Sequence, residues 1–161
     1  ILNNNNNCLS NNMTKKQART IRISNAGFTL LELMVTVVII AILAMIAMPM
    51  YSDYITKSKA RSAGADLVAL GLVIESLYQR NLSYPVPTVN PTVSTAKTQE
   101  YASAWQPAET DTFDYTANAA ATSYTLTATG KGRNAGCNLT LTNKNIRTIS
   151  GGSGCGGLSS W

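Results

Sequence analysis

Between Gly27 and Met50 the chain reads GFTLLELMVTVVIIAILAMIAMPM, and after Gly27 only Thr29, Glu32, Thr36 and Pro49 interrupt the apolar residues. About 20 such residues suffice to cross a bilayer as a helix, the one open-ended structure that satisfies its own backbone there. Any soluble fold must therefore be built from the residues beyond Met50. Glu32 is the anomaly, because a carboxylate inside a membrane helix costs on the order of 3 kcal/mol and normally marks a site with a partner. An acid near a helix N-terminus also complements the helix dipole, so the residues alone leave both readings open.

The residues ahead of the run carry Lys15, Lys16, Arg19 and Arg22 and no acid. A conventional secretory signal places its apolar stretch before the cleavage site and loses it; here the basic segment comes first and the apolar stretch lies after Gly27. An uncleaved signal anchor with its positive end in the cytoplasm fits the same order. The formal charge of +5 is concentrated in this segment, since without those four cations nine Lys and Arg face eight Asp and Glu. The sequence pI of about 9.2 is therefore weak support for an anionic partner.

The segment Gly27-Phe28-Thr29-Leu30-Leu31-Glu32-Leu33 closely resembles the cleavage and methylation motif of type IV prepilins, with Pro49, Tyr51 and Tyr54 where that family carries a proline and aromatics. The resemblance covers residues 13 to about 60. It implies a leader at 13–27, cut between Gly27 and Phe28 by a prepilin peptidase, with methylation of the new Phe28 amine. It implies further that Glu32 of one subunit pairs with that amine on a neighbour, fixing the stagger between subunits. Residues 1–12, Asn-rich and ahead of Met13, read as an over-extended gene start. Residues 28–50 are then a transmembrane and assembly helix, and 51–161 a globular head. In the C-terminal third, Tyr124-Thr-Leu-Thr-Ala, Cys137-x-Leu-Thr-Leu and Cys155-x-x-Leu-Ser-Ser-Trp resemble the minor pilins of the PilE type.

The expected fold is α+β, the type IV pilin fold: one long N-terminal helix packed on a three- or four-stranded antiparallel meander. Pro49 removes one backbone hydrogen bond and should kink or locally open the helix. The pattern then resumes, with Ala60, Ala63, Leu67, Leu70, Ile74 and Leu77 at helical spacing and Arg61, Asp66, Glu75 and Gln79 off that stripe. Residues 81–111, with Pro85, Pro87, Pro91 and Pro107, read as a long surface loop pinned by Tyr101 and Trp105. From residue 112 the period changes to two: Phe113 and Tyr115; Tyr124, Leu126 and Ala128; Leu139 and Leu141; Ile146 and Thr148.

Cys137 and Cys155 form an even pair in a head that the resemblance places outside the cytoplasm, where disulfides persist; free thiols are the alternative. The bond would tether the glycine-rich tail from Gly151 to Trp161. There is no histidine, no Walker-type loop, no nucleophile elbow and no zinc-type cysteine cluster, so neither an enzyme nor a metal or cofactor site is expected. After Asp114 the chain has Lys131, Arg133, Lys144 and Arg147 and no acid, a candidate DNA patch if the four share a face.

The sequence reading is thus a minor pilin of a type IV pilus, serving pilus assembly, twitching motility, adhesion or DNA uptake. Its partners would be other pilin subunits, the peptidase, the inner-membrane assembly machinery, lipid before assembly, and DNA as a candidate. It would sit first in the inner membrane with its N-terminus cytoplasmic and afterwards in the extracellular pilus. The alternatives are a type II secretion pseudopilin, against which the cysteine pair and the lack of an acidic calcium loop speak, and a DNA-binding pilin receptor for natural transformation.

Overall fold

A computed structural model describes residues 27–161. The expectations for the start and most of the leader, residues 1–26, lie outside the described residues. Helix α1, Leu30–Asn81, is continuous through Pro49. It begins where the Thr29 hydroxyl accepts the amide of Glu32, satisfying one of the donors that a helix N-terminus leaves free.

Beyond Pro49 the helix gains a buried stripe. Ala60, Ala63, Leu67, Leu70 and Ile74 are fully buried, at the spacing that puts them on one helical face. That face packs on the sheet, in which β1 (Phe113–Ala120), β2 (Ser123–Gly130), β3 (Asn138–Thr142) and β4 (Arg147–Ser150) run antiparallel in sequential order. The register pairs Tyr115 with Ala128, Ala128 with Leu139, and Leu139 with Ile149. Phe113, Tyr115, Leu126, Ala128 and Leu139 consequently point to one face and join the helix stripe in a single core. Each large side chain so buried contributes about 1.5–3 kcal/mol. The threonines at 125 and 129 fall on the opposite, wet face.

Two helical glycines permit this approach. A Cβ at Gly71 would stand 3.3 Å from Leu141 Cδ2 of β3, and one at Gly64 would stand 2.6 Å from the Trp161 ring. Both positions therefore give back in close packing what glycine loses in helix propensity, about 1 kcal/mol each.

Three details differ from the sequence reading. Residues 81–111 are not all loop: α2, Thr95–Tyr101, forms within them, capped by the Ser94 side chain accepting the Lys97 amide. This segment covers the free edge of β1. The Tyr115 amide donates to Thr95 Oγ1 (3.0 Å), the Ala117 amide to Thr92 Oγ1 (2.8 Å) and the Ala119 amide to Asn90 Oδ1 (3.1 Å). Side chains thus replace a missing neighbouring strand, and the edge is closed to unwanted pairing. Second, Ile146 lies outside β4 and is 55% exposed; Ile149 packs on the core instead, because β4 begins one residue later and its register sets the parity. Third, Asp66 is not on the wet side of α1. It is only 8% exposed.

Candidate functional site

Asp66 is the hub of a buried polar network. Its carboxylate accepts the Tyr115 hydroxyl (2.7 Å) and the amides of Ala108 and Glu109 (both 3.0 Å to Oδ2). Its backbone carbonyl accepts Trp105 Nε1 at 2.9 Å. Glu109 in turn pairs with Lys59 and accepts the Thr112 hydroxyl, both at 2.9 Å. Burial, and then the hydrogen bond to Asp66, push the Tyr115 hydroxyl well above the usual tyrosine range. Every acceptor here has its donor, so the network clamps the residue 105–112 segment to α1 and leaves nothing open to a ligand. A second tyrosine group sits toward the end of α1. Tyr84 donates to Glu75 Oε1 (2.9 Å), and its hydroxyl is pushed up to about 12, by burial first and by Glu75 second.

Open chemistry lies on another side of α1. Lys57 and Arg61, four residues apart and therefore neighbours on the helix surface, line a groove of about 700 Å³ together with Arg147 of β4 and Trp161 of the tail. No Asp or Glu side chain lines it. Asp53 is one turn away along α1 and outside it. Among the described residues none of these three cations belongs to an ion pair, whereas Lys59, Lys97 and Lys131 all do.

The tail builds the groove wall. Cys137 and Cys155 are joined by a disulfide with Cα atoms 5.0 Å apart, which fixes the chain just before Gly156. Gly156 has φ +62°, and a Cβ there would stand 2.5 Å from the Lys57 amide nitrogen, so only glycine lets the tail cross the helix this closely. Asn134, 1% exposed, ties the same three elements: its amide group donates to Thr56 O (2.9 Å) and Gly154 O (3.0 Å). Trp161 then docks, its ring on Gly64 and its Nε1 donating to Thr148 O at 2.7 Å. Arg147 stands 5.2 Å from the ring centroid, close enough for a cation–π contact. That contact and the Nε donation to Asn145 orient its guanidinium.

The structure does not bring the four cations after Asp114 together. Lys131 is neutralised by Asp114 (2.9 Å) and also donates to Thr110 O. Arg133 reaches the helix, donating to Ser52 Oγ at 2.6 Å. Lys144 lies in the β3–β4 turn at the other end of the sheet, because β3 runs from Asn138 beside the first pair to Thr142 beside the second. Only Arg147 joins the groove. Its partners Lys57 and Arg61 escaped the sequence reading, although their spacing on one helical face was the available signal. Of the other expected site residues, Gly27 and Phe28 precede α1 with Phe28 80% exposed, Glu32 occupies the first helical turn, and Pro49 lies within the helix.

Comparison with known proteins adds two family matches. A model described as "Type IV minor pilin ComP, DNA uptake sequence receptor" matches residues 49–142, more than half of the chain, and a model of the prokaryotic N-terminal methylation motif matches residues 22–48. Among similar proteins, the type IV major alpha-pilin of Moraxella bovis is 54% identical over 43 residues, 27% of each chain. The fimbrial protein EcpB of Eikenella corrodens is 38% identical over 65 residues, 40% of this chain and 39% of the relative. The major fimbrial protein FimA of Dichelobacter nodosus is 62% identical over 34 residues, 21% of each. The chain thus spans well under half the length of these curated relatives. No solved structure matches it. The head match favours the DNA-receptor alternative over the PilE-type reading. With its long apolar helix, four-stranded meander and disulfide, the chain belongs to the type IV pilin family described as the minor pilin ComP, DNA uptake sequence receptor, a family of non-catalytic subunits.

Proposed function

We propose that this pilin subunit is a DNA receptor of a type IV pilus, holding duplex DNA on its head during uptake. The observation that carries this reading is the receptor-family match over residues 49–142, which spans α1 beyond Pro49 and the sheet through β3. The groove of Lys57, Arg61 and Arg147 supports it. Three cations on two elements, α1 and β4, with no Asp or Glu side chain among them, suit a phosphate backbone, where each contact releases condensed counterions. Because the disulfide, Asn134 and Trp161 fix the wall, little ordering is required when DNA arrives. Phosphate contacts of this kind position a duplex and do not read its sequence; reading requires contacts to base edges.

In the same proposal the chain is a single-pass inner-membrane precursor, cut after Gly27 and methylated at Phe28. It assembles into the extracellular pilus through α1, with Glu32 meeting the Phe28 amine of a neighbour. Exposed Leu, Ile, Val and Met side chains along residues 30–50 give that helix a surface for lipid and then for other pilins. Full-length protein in detergent should bind duplexes of random sequence at low salt. No binding by that protein would remove the receptor reading and leave a structural pilin.

A further inference from the structure

Arg133 does not line the groove of Lys57, Arg61 and Arg147. Its guanidinium donates to Ser52 Oγ at 2.6 Å and is otherwise exposed. Below it, Ala44, Ala47, Met48, Tyr51 and Ile55 of α1 line an open groove of about 890 Å³, with Arg133 as its one charged wall. The remaining guanidinium donors have no protein acceptor among the described hydrogen bonds.

The depth of this groove follows from helix geometry. From Leu30 to Met50 there are twenty helical steps of about 1.5 Å, roughly 30 Å in all and equal to the hydrocarbon thickness of a bilayer. Ser52 is about 3 Å beyond that limit, at the level of lipid headgroups, and Ala44 is about 9 Å inside it. Tyr51 and Tyr54, both 68% exposed, mark the same interface as an aromatic belt. A cation at headgroup depth above an apolar channel has the charge and shape of a phospholipid: anion outside, acyl chain inside.

We propose that Arg133 and the groove of Ala44, Ala47 and Met48 bind one phospholipid of the leaflet into which the head emerges. The guanidinium, steadied by Ser52, takes the headgroup phosphate, and an acyl chain lies along the helix. This rests on the reading that the apolar run spans a bilayer. It assigns Arg133 to the membrane-bound subunit and leaves Lys57, Arg61 and Arg147 to DNA.

The test uses the full chain in nanodiscs of phosphatidylcholine with a minor share of phosphatidylglycerol, released for native mass spectrometry. One phosphatidylglycerol should be retained per chain. Arg133→Gln should lower that retention about fivefold, the equivalent of the ~1 kcal/mol that one cation contributes near an anionic surface. Lys144→Gln, at the far end of the sheet, should leave it unchanged, and excess glycerol phosphate should not displace the lipid. Equal retention in Arg133→Gln, an equal loss in Lys144→Gln, or displacement by glycerol phosphate would overturn the proposal. Resistance of the same samples to alkaline extraction reports insertion separately. Extracted protein would refute the bilayer reading, whereas inserted protein with unchanged retention would refute the lipid site alone.

Discussion

Asp66 and Arg61 stand five residues apart on one helix and have opposite fates. Asp66 is buried, accepts a hydroxyl and two amides, and is spent on holding the chain together. Arg61 is exposed, in no ion pair among the described residues, and shares a groove with Lys57 and Arg147. A charge completely satisfied by its own fold contributes architecture. A set of like charges held in place and left unpaired is what a ligand of opposite sign can use. The difference lies in the partners that tertiary structure supplies, and neither residue's identity announces it.

The sharpest way to break this comparison is to remove the buried member. Asp66→Ala strands the Tyr115 hydroxyl and two amides, each costing about 1–3 kcal/mol, so the head should lose on the order of 3–5 kcal/mol in a urea titration. DNA affinity of the remaining folded protein should be unchanged. A normal urea midpoint would show that water replaces the network at no cost.

Next in size is the tether of the groove wall. Replacing Cys137 and Cys155 together with serine opens a link spanning 18 residues and should cost about 3 kcal/mol in thermal or chemical unfolding. Trypsin or chymotrypsin should then cut nearer the tail, and DNA affinity should fall with stability, because Trp161 no longer holds Arg147. Lost stability with full DNA affinity would separate the tail from binding.

Alkaline pH tests the buried side through its tyrosines. The Tyr115 hydroxyl is raised above its unfolded value near 10, and that of Tyr84 to about 12, so both stay neutral in the fold while the unfolded chain ionises. Their contribution is complete below pH 10 and is lost as pH rises toward 12. Unfolding stability measured across that window should fall, and Tyr115→Phe should flatten the fall while lowering stability at neutral pH through the unfilled Asp66. A flat profile up to pH 12 in the unmodified chain would contradict the buried assignment.

Much of the fold was legible because it repeats. The stripe from Ala60 to Ile74 and the alternation of Tyr124, Leu126 and Ala128 carry their burial in their spacing, and two cysteines in the head left one intramolecular pairing. Helix α2 was hidden because seven residues carry almost no period; its place is set by Thr92 and Thr95 bonding to the edge of β1. Asp66 was misplaced because a carboxylate reads as wet until Tyr115 and the amides of Ala108 and Glu109 are brought to it from over forty residues away. The groove was hidden for the same reason. Lys57 and Trp161 are more than one hundred residues apart in sequence, and the cations after Asp114 shared a neighbourhood in sequence that β3 divides in space.

The most direct test of the account is the salt dependence of duplex binding by the full-length protein in detergent. Three phosphate contacts imply a slope of log affinity against log salt near −2.7, by the rule of about 0.9 per phosphate, and Lys57→Gln, Arg61→Gln and Arg147→Gln should each flatten it by about one unit. Lys144→Gln should leave the slope unchanged. If the three groove variants bind with the unmodified slope, or if Lys144→Gln flattens it as they do, the groove is not where DNA is held.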